Sequence, residues 1–242
     1  MKSRIPQPAS SRGRSRSRLR RLSVCAPILA LAIAAQTANA QDDPFAAKLD
    51  APTRSAVLRT IEAARMRGLP LEPLVNKALE GAMKHAPGAR IQAAVDSLLG
   101  RLEASRAALA PEPSGRDIAA GADALAYGVT RDALASVRAI RPRGSVAVPL
   151  AVLTQLVASG VPVSRATGVV AELIRRGARD EQLIALSDDV RLYIASGASP
   201  EIALDVRTRG LTAVLPPPGA AAVAADLLDA GLTNAGGPKR RP

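Results

Sequence analysis

The chain has 242 residues, a formal net charge of +12, one Cys, one His, one Phe, two Tyr and no Trp. A single cysteine excludes an intrachain disulfide and any multi-thiolate metal site, and the scarcity of aromatic rings excludes the stacking platforms that single-stranded nucleic acids use. The charge is not that of a basic folded surface: eight basic residues (Lys2, Arg4, Arg12, Arg14, Arg16, Arg18, Arg20 and Arg21) fall in residues 1–40 beside no acid, leaving 25 basic against 21 acidic residues elsewhere, net +4.

That basic stretch leads into the apolar run "LSVCAPILALAIAA" (22–35) and then a small-x-small site, Ala38-Asn39-Ala40. The order is that of a cleavable secretory signal peptide over 1–40, cut between Ala40 and Gln41. The run is shorter than the roughly 20 residues a membrane span needs, and Pro27 interrupts it. Three other readings of the same residues fit less well. An Arg/Ser-rich RNA-binding arm leaves the apolar run unexplained, a twin-arginine signal wants an apolar residue where Ser23 stands, and a lipidated Cys25 wants a smaller neighbour than Val24. The Ala/Arg/Pro bias fits a GC-rich bacterial genome, so the expected destination is periplasmic or secreted. Cleavage there removes Cys25, and about 200 residues bury enough core to stand without disulfides.

Residues 41–51 are expected to form a flexible mature N-terminus. From Pro52 onward apolar residues recur at helical spacing: Ile91, Val95, Leu98, Leu102 and Leu109; then Val163, Ala166, Val169, Val170, Leu173 and Ile174; then Leu183, Leu186, Val190 and Tyr193. No run alternates as a half-buried strand does. Residues 52–110 are expected to hold three helices, broken at Gly68-Leu69-Pro70 and Ala86-Pro87-Gly88, with "PEPSG" (111–115) as a linker.

Beyond the linker, glycines at 128, 144, 160, 177, 197 and 210 punctuate the pattern. Each is expected to mark a joint between helices, and Gly128, Gly160, Gly177 and Gly197 to take the left-handed turn at a helix end with the apolar residue after them packing back. Thr130, Pro162, Asp180 and Ser199-Pro200 then signal the next helix start. Arg143-Gly144, Arg176-Gly177 and Arg209-Gly210 stand 33 residues apart. The expected fold is therefore all-α: about ten short helices with three two-helix units at 112–144, 145–177 and 178–210, forming an array of antiparallel α-hairpins, solenoid-like or an irregular bundle. In the last unit the first helix is expected one turn longer and the second one turn shorter. An Ala-rich helix from about 219 to 230 is expected to cap the segment 111–231, and 232–242 to be a disordered basic tail. The signatures of tetratricopeptide and ankyrin repeats are missing.

Catalytic groups are sparse. His85, in "KHAPG", stands at a helix end and has no serine or acidic partner in its neighbourhood to complete a triad. Asp188 and Asp189 point about 100° apart on a helix and do not converge on one metal. Lys77, Glu80 and Lys84 line one helix face; they are either a binding face for an anionic or zwitterionic ligand or a solvated run of two ion pairs. If successive helices run antiparallel, the arginine corners gather Arg141, Arg143, Arg175, Arg176, Arg179, Arg207 and Arg209 along one edge. That edge is either a basic ridge for an anionic partner or dipole complementation at helix ends, with Asp180, Glu181 and Asp205 offsetting charge and Glu172–Arg176 and Asp205–Arg209 as intrahelical pairs.

The reading is an exported, non-enzymatic helical repeat protein, monomeric or weakly self-associating, that binds or scaffolds a protein or an anionic envelope polymer or lipid surface. No cofactor, metal, nucleic acid or transmembrane span of the mature chain is expected. The alternatives are an envelope hydrolase, such as a cell-wall glycosidase, with a carboxylate acid/base pair brought together by the fold, and a cytosolic RNA binder using the Arg/Ser arm.

Overall fold

The computed structural model describes residues 44–217. Among them are nine α-helices and no strand: α1 (Ala51–Met66), α2 (Glu72–Met83), α3 (Gly88–Ala108), α4 (Gly115–Ala126), α5 (Arg131–Ile140), α6 (Ala147–Ala158), α7 (Val163–Arg175), α8 (Asp180–Ala195) and α9 (Pro200–Thr212). The signal sequence with its Ala40–Gln41 bond, the capping helix and the basic tail lie outside the described residues.

Local chemistry sets the helix ends. Asp50, Ser114, Thr130 and Ser199 cap α1, α4, α5 and α9 through side-chain oxygens that accept from backbone N–H groups three residues on. At the other ends Gly68, Gly128, Gly160, Gly177 and Gly197 have positive φ. The residue after each donates its N–H back to the carbonyl five residues earlier, as in Val161 to Leu156 (3.1 Å) and Ala178 to Leu173 (2.9 Å). That donation turns Leu69, Val129, Val161 and Ala178 into the core.

Two corners differ from expectation. The helix break before α3 is made by His85, at φ 51, while Gly88 is the first residue of α3. Gly210 is no corner at all: it has no positive φ and lies inside α9, which runs on to Thr212. Nothing stops the helix at Gly210, since Leu211 still packs against the core, and α9 ends at Thr212, shortly before Pro216. The second helix of the last unit, α9, is therefore as long as α7 instead of one turn shorter; α8 is the longer first helix expected.

The lead-in expected to be flexible carries Phe45 into the core, 1% exposed, and a turn at Lys48 and Leu49 closes on its carbonyl. Burial of the chain's one phenylalanine outweighs the ordering of a short segment. Phe45 joins a cluster with Val57, Leu74, Val95 and Leu102; a second cluster runs from Leu109 through Leu134, Leu150, Leu153 and Leu173 to Leu204. Helix α3 packs on α1, α2, α4 and α5, and α6 on α4, α7 and α8. Small residues allow close approach: a Cβ on Gly121 of α4 would stand 2.2 Å from Ser105 Oγ of α3.

Candidate functional site

The corners at Gly144 and Gly177 stand side by side. Ile140, Arg141, Pro142 and Arg143 from the end of α5 face Ile174, Gly177, Ala178 and Arg179 from the end of α7 across an open groove of about 660 Å³. The expected arginines divide by what they touch. Arg141 Nη1 pairs with Asp180 (2.7 Å) and also donates to the Ser145 carbonyl (3.2 Å). Arg175 and Arg176 both pair with Glu172, at 3.1 and 2.8 Å, and hydrogen bonds from the two, Arg176 first, hold that carboxyl below its ordinary pKa.

Arg207 stacks on Tyr193, 5.1 Å from the ring centroid. The expected Asp205–Arg209 pair is absent, because Arg165 of α7 reaches across to take Asp205 at 2.5 Å. Arg143, Arg179 and Arg209 are exposed, and their side chains make no hydrogen bond or ion pair among the described residues. Two of these three flank the groove. Gly210 and Arg207 sit elsewhere, in a groove of about 320 Å³ against Gln182 and Ala185 of α8.

A buried carboxylate holds the Gly144 corner in shape. Asp117, 2% exposed, caps the first turn of α4 with Ser114, each side chain bonding the other's backbone N–H. It then accepts from Ser145 Oγ (2.7 Å), the Val146 N–H (2.8 Å) and Arg138 Nη2 (3.2 Å). The same guanidinium donates through Nη1 to the carbonyls of Gly144 (2.9 Å) and Arg141 (3.3 Å). Burial alone raises the Asp117 pKa, but the donors from Ser145, Ser114 and Val146 outweigh it, and the net shift is downward. Sequence reasoning missed this residue. The signal was the Ser114-x-x-Asp117 capping box, hidden inside what reads as a linker; its partners 21 and 28 residues away left no local pattern.

The Lys77–Glu80–Lys84 face exists as two ion pairs, with Glu80 accepting from Lys77 (2.7 Å) and Lys84 (2.5 Å). Those two bonds hold the Glu80 pKa at about 2. The face is one wall of a polar cleft of about 850 Å³, closed by Leu98 and Arg101 of α3, Asp123 and Tyr127 at α4, and Thr154 of α6. Burial pushes the Asp123 carboxyl up, against the opposing fields of Arg101 and Lys77.

His85 is exposed at its corner. Asp188 and Asp189 diverge, as their spacing requires: Asp188 accepts from Gln155 (3.2 Å) and Asp189 lines the α8–α9 groove. No helix among the described residues is long and apolar enough to cross a membrane. Compared with known proteins, the chain matches no family model, no curated protein and no solved structure.

Proposed function

We propose that the chain is exported on its first forty residues, released at the Ala40–Gln41 bond, and works without catalysis as a binding module for a polyanionic envelope component or an acidic protein segment. The body is a stack of antiparallel helix pairs. Packing of α6 between α4 and α8, and of α5 on α7, supports that organisation, as does the approach of the Gly160 corner to Pro200, where an added Cβ would stand 3.2 Å from the proline ring. Corners two helices apart then share an edge, and the partner lies along the edge bearing Gly144 and Gly177. The observation that carries this reading is the groove between those corners, flanked by Arg143 and Arg179 with no carboxylate of their own. Unpaired, exposed guanidiniums around a concavity match anionic oxygens in charge and geometry.

The test is sedimentation with vesicles containing anionic lipid and with poly-glutamate. Wild type is expected to bind either probe, less so as salt rises from about 0.05 to about 0.5 M. Arg143→Gln with Arg179→Gln is expected to weaken binding by about tenfold or more, a loss of roughly 1.4 kcal/mol. Arg175→Gln with Arg176→Gln should do less, since both are already spent on Glu172. Wild type that binds neither probe ends this reading. Export is read separately, by mass spectrometry of the chain expressed with its first forty residues: the expected mature N-terminus is Gln41, and an intact N-terminus overturns it.

A further inference from the structure

The cleft between α2 and α6 lies apart from the arginine edge and carries a different kind of charge. Its α2 wall presents Glu72, Asn76, Lys77 and Glu80, spaced to lie along one helix face, opposite Arg101 and Asp123. Glu80 is already neutralised by Lys77 and Lys84. Two groups are not. The exposed Asp123 carboxylate makes no hydrogen bond or ion pair among the described residues, although it feels the charges of Arg101 and Lys77. The half-buried Arg101 spends only Nη1, on Ser97 Oγ (2.8 Å); Nη2 is unused, and Nε is buried without a partner.

A carboxylate and a guanidinium thus face one cavity, near enough to sense each other and too far apart to pair. The carboxylate has no protein partner, and the guanidinium leaves its buried Nε unmatched, which is costly unless something reaches it. A molecule with an ammonium at one end and a carboxylate at the other spans it with both charges matched. Pro73, Leu98, Ala119 and Ala126 supply apolar walls between, and the volume suits a small organic ligand, not a lone ion. We propose that this cleft binds a short zwitterionic peptide, its ammonium on Asp123 and its carboxylate on Arg101.

The test is calorimetric titration of the full chain with L-alanyl-L-alanine and two singly charged relatives, the N-acetyl and C-amide forms. Saturable binding is expected for the dipeptide, with each relative weaker by about tenfold or more. Asp123→Asn is expected to erase the preference over the N-acetyl form, and Arg101→Gln the preference over the amide. Neither residue holds helices together, so both variants should keep the wild-type helix content and melting temperature by circular dichroism. The proposal is overturned if the dipeptide gives no saturable heat, if the neutralised relatives bind as tightly, or if folded Asp123→Asn and Arg101→Gln keep the wild-type selectivity. None of these results bears on the arginine edge, whose probes and variants are separate.

Discussion

Asp117 has the most at stake of any single side chain described. Its carboxylate closes the α4 capping box, receives the α5–α6 turn through Ser145 and Val146, and neutralises Arg138. The Arg138 side chain is only 11% exposed. Asp117→Ala is therefore expected to cost about 3–5 kcal/mol, the usual penalty for leaving one charge of a buried pair alone, read from urea unfolding at neutral pH. A pH arm separates the charge from the packing. Because the folded-state pKa lies below the ordinary carboxylate value, the carboxylate's contribution is complete above that value and is lost as pH falls through the folded-state pKa. Wild type should lose stability as pH falls below about 4 more steeply than Asp117→Asn, which has no proton to take up there. Equal slopes for the two would mean that the fold does not depress this pKa.

The elements tell which parts of the fold a sequence makes visible. Helix interiors were legible because an apolar stripe at 3.6-residue spacing is a local pattern, and five of the six expected glycine corners beyond the linker were legible because a left-handed turn needs a residue without Cβ. Gly210 was misread because a glycine says only that a turn is permitted; α9 continues since Leu211 has core to reach. Partner choice was the least legible layer. The i,i+4 rule offered Arg209 to Asp205, but a neighbouring helix delivered Arg165. For the same reason the expected arginine edge was only partly legible: Arg141, Arg143 and Arg179 meet at one groove while Arg207 lies at another, and which guanidiniums stay unpaired depended on Asp180 and Glu172. The two kinds of glycine give opposite predictions. Gly144→Ala, at φ 78, is expected to destabilise by about 1–2 kcal/mol. Gly210→Ala, helical and with open space around its added Cβ, is expected to stabilise by up to about 1 kcal/mol. Thermal melts of the two variants decide: a destabilised Gly210→Ala would restore a corner at 210.

At the scale of the whole described body, the question is whether two apolar clusters make one cooperative unit. Helix α4 belongs to both, with Ile118 and Ala122 in the first and Ala124 in the second. The end of α3 does likewise, since Leu102 joins the first cluster and Leu109 the second. Gly121 lets these two helices close on each other at Ser105 and Leu109, so the seam between the clusters is itself packed. The zwitterion cleft, floored by Leu98 and Arg101 of α3 and Ala119 and Asp123 of α4, rests on that seam, and Asp117 ties the same helix to the arginine edge. Neither cluster can then unfold without pulling α3 and α4 from the other, which makes a single transition the expected behaviour. Leu102→Ala and Leu153→Ala, both fully buried but in different clusters, are each expected to cost about 2–5 kcal/mol and to lower one shared urea midpoint with an unchanged slope. If Leu102→Ala split the curve and left a later phase where wild type has it, the clusters would be independent. The cleft would then belong to a part of the chain that opens while the arginine edge stays folded.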